Sequence, residues 1–320
     1  MPLGGKGKGR SLGIAGGAIA ILLSGCEPRP QVSGATPTDA INVVATSTLI
    51  ADWAAQVGGD DIELVSILTP GADPHIYEPV PQDSVALEEA DLIFYNGYNL
   101  EPNLIRLAAS VGGEARQVAL AEVVTPLAVA DPAQQVPDPH VWGDVANVVP
   151  MVALMEAELS QLAPEQSAAF AAQAAAFIAQ LEQLDGWIQT QIATIPPAQR
   201  KLVTTHDAFQ YYAAAYGLEV TGTLIGISTE EQPSAQTVRT LADTLRDLGV
   251  PAIFAETTIN PRLITTVAAE AEVQLAPTAL YSDSIGAPGS EADTYIKMMV
   301  ANTRAIVENL GGEYTPFTPE

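Results

Sequence analysis

The sequence predicts an α/β protein of two lobes, each a parallel sheet covered by helices, joined by one long helix with a ligand cleft between the lobes. Three observations carry that prediction. Short apolar runs alternate with helix-like stretches over residues 41–120, the same alternation returns from residue 200, and an unbroken helical pattern lies between them. Strands alternating with helices pair in parallel and need cover on both faces. With 320 residues, 48% hydrophobic and 16% charged, the chain can fill two such cores.

In the first run the expected strands are "INVVATST", "DIELVSIL", "DLIFYNG" and "ARQVAL", separated by helical stretches such as "LIADWAAQV" and "EPNLIRLAASV". The second run offers "KLVTT", "EVTGTLIGI", "PAIFAET" and "VQLAPTA", with "AQTVRTLADTLRDLG" as a helix. Between them, Pro164 is placed to start a helix and Pro196-Pro197 to stop it. Phe170, Ala174, Phe177, Leu181, Leu184, Ile188, Ile192 and Ile195 recur at spacings of three and four, which draws one apolar stripe along that helix. The expected division is a lobe over 40–160, a connector over 161–197 and a second lobe over 198–320. A helical connector is stiff, so lobe movement should be small.

The first residues read differently. Lys6, Lys8 and Arg10 precede the apolar run "SLGIAGGAIAILL", the layout of a secretion signal over 1–25. That run is too short and glycine-rich for a good membrane span. It ends in "LSGC", which resembles the lipobox of bacterial lipoproteins and implies acylation of Cys26. As the lone cysteine, Cys26 also excludes an intrachain disulfide. Residues 26–39 are rich in Pro, Ser, Thr and Gly and read as a tether that holds the folded part about 20 Å from the membrane. Loss of the signal takes the formal charge from -25 to -28, because three cations leave with it. Such a chain is no partner for nucleic acid. Negative charge also concentrates cations near a surface, or simply maintains solubility.

Chemistry is expected at the carboxyl ends of the strands, where ligands bind in open α/β sheets. All three histidines fall there: His75 after "DIELVSIL", His140 after "ARQVAL", and His206 directly after "KLVTT". Asp283 lies beyond "VQLAPTA". Two of the histidines are preceded by Asp-Pro, in "GADPHIYEPVP" and "PDPHVWGD". Proline stiffens the loop that presents each imidazole. Asp73 and Asp138 can cap the following turn or accept the second ring N–H, which fixes the nitrogen offered to a ligand. Such preorganisation suits a metal ion.

The segments "DPHIYEPVPQD", "ADLIFYNGYNLEP", "DPHVWGD", "VTTHDAFQYYAAAYGL", "IFAETTIN" and "LYSDSIG" resemble, in order, those of the metal-binding lipoproteins of manganese and zinc ABC importers, some of which are called adhesins. The resemblance covers about residues 41–312. It implies one divalent metal between the lobes, held as cargo by His75, His140, His206 and Asp283. It further implies an ABC permease and its ATPase as partners, and a lipid-anchored monomer on the outer, periplasmic face of the bacterial plasma membrane. Among neighbouring residues, Glu256 is placed to orient a histidine or to end a strand in solvent. Tyr77 and Glu78 lie close to a ligand in sequence, Trp142 should pack on the cleft wall, and Asp207 should cap the next helix.

Three imidazoles and one carboxylate suit zinc and also admit manganese or ferrous iron. Manganese members of the family usually place a glutamate where this chain has His206, which tilts the expectation to zinc. Zinc-dedicated members often carry a histidine-rich loop, and "AEVVTPLAVADPAQQVPD" has no histidine, so manganese stays close behind. A zinc hydrolase is the first alternative, but it would keep one position for water. The chain also has neither a His-Glu-x-x-His helix nor a Gly-x-Ser-x-Gly elbow. An adhesin with a structural metal is the second. The expectation is therefore no enzyme.

Overall fold

The computed structural model describes residues 40–127 and 137–319. The signal over 1–25, Cys26 and the tether to residue 39 lie outside the described residues, as does most of the histidine-free stretch before Pro137.

The first lobe is built as the alternation predicts. Strands β1 (Ile41–Ala45), β2 (Ile62–Ser66), β3 (Leu92–Tyr95) and β4 (Arg116–Ala119) form one parallel sheet in the order β2-β1-β3-β4. Helix α1 (Thr48–Gly58) follows β1, with the Ser47 hydroxyl accepting from the Ile50 N–H at its start. Helices α2 (Pro81–Glu88) and α3 (Pro102–Val111) each begin on a proline, which needs no partner for its nitrogen at that position. Since β2 and β3 both flank β1, the connections leave in opposite directions at the β1/β3 boundary. Such a switch point opens a crevice beyond the strand ends.

The expected long helix is present as α5 (Ser167–Ala193), and a further helix, α4 (Val145–Leu162), precedes it. Helix α4 packs along α5. The sequence pattern conceals α4 because Pro150 lies inside it and apolar residues surround most of its circumference, so no single stripe stands out. In α5 the predicted stripe is buried from Phe170 to Ile192, and Ile195, just past the helix end, is buried with it. The helix starts three residues after Pro164 and ends before Pro196-Pro197, which opens a 3-10 turn instead.

The second lobe contains β5 (Lys201–Thr204), α6 (Gln210–Tyr216), β6 (Glu219–Thr223), α7 (Ala235–Leu248), β7 (Ala252–Ile253), α8 (Arg262–Ala271), β8 (Gln274–Leu275) and α9 (Tyr295–Asn309). Its strands are shorter than the apolar runs suggest. They pair in parallel as β5-β6 and β7-β8, and the Phe254 N–H to Val203 carbonyl bond at 2.9 Å stitches the pairs together. A register shift at Leu202/Val203 interrupts one ladder, and Pro277, which has no N–H, lies two residues past β8.

One core runs through both lobes. Trp53 of α1, Met151 of α4, Phe177 and Leu184 of α5, and Tyr295 and Ile306 of α9 belong to a single buried cluster. A second cluster lies between α7, α8 and β7, around Leu241, Leu245, Ile253 and Val267. Among the described residues no helix is long and apolar enough to cross a membrane.

Candidate metal centre

The four side chains expected at strand ends converge. One ligand-type atom from each of His75, His140, His206 and Asp283 lies within 4.8 Å of all the others. The Nε2 atoms of His75 and His140 are 3.3 Å apart, His140 Nε2 is 3.5 Å from Asp283 Oδ1, and His206 Nε2 is 3.3 Å from Asp283 Oδ2. A tetrahedron with bonds of 2.0–2.1 Å has edges of about 3.3–3.4 Å. The three contacts at 3.3–3.5 Å approach that edge length, and the whole set, within 4.8 Å, is compact enough to close on one small cation. His206 Nε2 and both Asp283 oxygens are buried with no hydrogen-bond partner. Buried polar atoms are almost always paired, and two partners suit these three: a proton on His206 facing Asp283 Oδ2 at 3.3 Å, or a cation between them.

Local structure fixes each ring differently. The Asp-Pro-His tripeptides share one device: the backbone N–H of His75 donates to Asp73 Oδ1, and that of His140 donates to Asp138 Oδ1, each at 3.0 Å. Beyond this they diverge. Asp138 Oδ1 also meets His140 Nδ1 at 2.7 Å, whereas the second oxygen of Asp73 accepts from the Thr229 hydroxyl of the other lobe at 2.6 Å. For His206, Glu256 serves both the backbone N–H, at 2.7 Å, and ring Nδ1. Glu256 thus orients a histidine and does not end its strand in solvent. With Nδ1 occupied in His140 and His206, Nε2 is the nitrogen left for the cleft.

Burial and charge set the proton affinities within the cluster. Burial pushes His75 down to about 3, despite the nearby Asp283. Burial alone would also strip His206 of its proton, but Glu256 and Asp283 face it and hold its pKa well above the ordinary histidine value. Burial would raise the carboxyl of Asp283, and His206, foremost among the three imidazoles, holds it below the usual range instead.

Other neighbours settle into plainer roles. Trp142 packs its ring against His140, 5.3 Å between centroids, and its Nε1 donates to the Ser282 carbonyl at 3.0 Å. Asp207 does not cap α6: it accepts from the Gln210 side chain, and the residue at the cap position is Phe209, with no side-chain cap bond. Tyr77 donates its hydroxyl to Asp83, and Glu78 lies on Asn103, so both stay off the centre. A cleft of about 280 Å³ reaches His75 past Tyr98, Pro139, Ser228 and Glu231. Thr229, which meets Asp73, and Asn96, which meets the Pro139 carbonyl and is held by Glu101, lie behind the site, with no ligand-like spacing in the sequence to mark them.

Two α/β lobes sharing a core, with a candidate cation site at their interface, are the architecture of a solute-binding protein rather than an enzyme. The chain belongs to the family described as ZnuA, zinc-uptake complex component A, periplasmic, whose model it matches over residues 43–309. It is 32% identical over 294 residues to the manganese-binding lipoprotein MntA of Halalkalibacterium halodurans, covering 91% of this chain and 95% of that protein. It is 34% identical over 272 residues to the zinc-binding protein TroA of Treponema pallidum, covering 84% and 88%. The solved structure of that periplasmic zinc-binding TroA superposes with a TM-score of 0.80 at 33% identity, over 84% of this chain and 98% of the other.

Proposed function

We propose that the protein captures one divalent transition ion outside the plasma membrane and passes it to an ABC permease with its ATPase. His75, His140, His206 and Asp283 are its ligands. The carrying observation is the convergence of four buried ligand-type atoms, one each from His75, His140, His206 and Asp283, all within 4.8 Å of one another. Three neutral imidazoles and an ionised carboxylate close around the ion, and the proton on His206 leaves as it binds.

Zinc is the cargo we favour over manganese, because the nitrogen-rich set with His206 suits a borderline ion. The MntA relative is named for manganese and TroA for zinc, at nearly equal identity, so relatedness does not choose between them. The fold divides into a lobe over 40–160, a connector over 161–197 and a lobe over 198–320, and the protein acts as a monomer tethered through acylated Cys26. Protein purified without metal, offered zinc and manganese in competition and read by elemental analysis, tests the reading. One ion per chain, with zinc in excess, is expected. No bound ion overturns the capture function, and manganese in excess overturns the choice of cargo alone.

A further inference from the structure

The motif "ADLIFYNGYNLEP" provides no ligand, yet two of its polar residues are deeply buried: Asn96 is 1% exposed and Glu101 0%. Asn96 immediately follows β3, at the switch point of the first sheet. Its backbone is clamped on both sides, with its N–H on Glu101 Oε1 at 2.7 Å and its carbonyl accepting from the Ala121 N–H at 2.8 Å. Glu101 Oε1 also accepts from the Thr46 hydroxyl at 2.7 Å, which ties the end of β1 to the end of β3. The intervening turn is tight, since Gly97, Tyr98 and Asn99 all have positive φ. Two successive non-glycine residues in that region are costly and need such a clamp to persist.

The Asn96 side-chain amide then donates twice, locally to the Gly97 carbonyl at 3.1 Å and to a distant loop. Its Nδ2 donates to the carbonyl of Pro139 at 3.0 Å, the carbonyl of the peptide bond that leads into His140. The N–H of that same peptide is held by Asp138, and the Val141 N–H shares the carbonyl at 2.8 Å. The plane carrying His140 is thereby fixed from both edges. The geometry points to Asn96 and Glu101 as positioning residues for His140, and through it for ion affinity. Glu101 aligns Asn96, and Asn96 aligns the peptide.

This inference rests on His140 being a ligand, and a double-mutant cycle separates the two claims. His140→Ala alone tests the ligand. Asn96→Leu, of similar size without a donor, should weaken zinc binding about 10–100-fold, as loss of an outer partner of a ligand does. In the His140→Ala background the same substitution should add no further loss, because the residue it positions has gone. Equal losses in both backgrounds would overturn the proposal and leave Asn96 as a fold residue. Should Asn96→Leu fail to fold, Asn96→Ser removes the same reach with less bulk and is read by the same cycle. Glu101→Gln keeps an acceptor and should retain wild-type affinity, whereas Glu101→Leu should match Asn96→Leu. A Glu101→Gln affinity as low as that of Glu101→Leu would overturn the acceptor role.

Discussion

Glu256→Gln isolates what a buried carboxylate does for His206. Glu256 accepts from two donors of one residue, the backbone N–H at 2.7 Å and the ring Nδ1. An amide has one acceptor oxygen and one NH₂ group, so glutamine satisfies one donor and turns its own donor on the other. Both side chains are wholly buried, and a donor left unpaired there costs about 1–3 kcal/mol of stability. Affinity falls for a separate reason. The carboxylate makes the imidazole a stronger base toward the ion, and losing such a partner weakens binding about 10–100-fold, equivalent to about 1.4–2.7 kcal/mol. Chelator competition for zinc gives the second quantity and denaturant unfolding of the metal-free variant gives the first. Lost stability with unchanged zinc affinity would refute the reasoning, since Glu256 would then serve the fold alone.

Affinity for the ion should climb with pH through and beyond 6.5, by about tenfold per unit, because the ion must displace the raised-pKa proton of His206, whereas His75 is already neutral; potentiometric or chelator titration from pH 5.5 to 8.5 reads the slope. Asp52 accepts from the Tyr295 N–H at 2.8 Å, and burial raises its carboxyl to about 6. The stability tied to that raised pKa is present below 3.8 and lost as pH rises through about 6. Asp52→Asn keeps an acceptor and removes the charge, so it should gain about 1–3 kcal/mol at pH 7 and nothing below pH 3.8 in denaturant unfolding. Leu184→Ala, at a fully buried position of α5, should cost about 2–5 kcal/mol of stability, with zinc affinity unchanged where the variant is folded. Chelation should leave the far-ultraviolet circular dichroism intact, because the continuous core through Trp53, Phe177 and Tyr295 owes nothing to the ion; an adhesin with a structural metal would unfold instead.

The parallel strands of the first lobe and the stripe of α5 were legible because each repeats one period with one buried face. Helix α4 was not, because Pro150 and apolar residues on nearly every side erase the period that marks a helix. The second sheet was legible in order but not in length, since apolar runs such as "PAIFAET" continue past β7 as extended chain with isolated bonds, like that from Leu280 N–H to the Ala255 carbonyl. At the site, strand-end placement was enough to bring His75, His140, His206 and Asp283 together. Their supports were harder to read. Two identical Asp-Pro-His tripeptides send their aspartates to different partners, one to a ring nitrogen and one across the cleft to Thr229. That choice depends on which loop of the other lobe lies opposite, a tertiary fact with no local signature. Asn96 and Glu101 likewise act on a loop more than 35 residues away.

Anomalous diffraction at the zinc edge from crystals of the zinc-loaded protein tests the centre most directly. One peak is expected, with Nε2 of His75, His140 and His206 and a carboxylate oxygen of Asp283 about 2.0–2.2 Å away. A peak elsewhere, or one of those four side chains turned from it, would contradict the assignment.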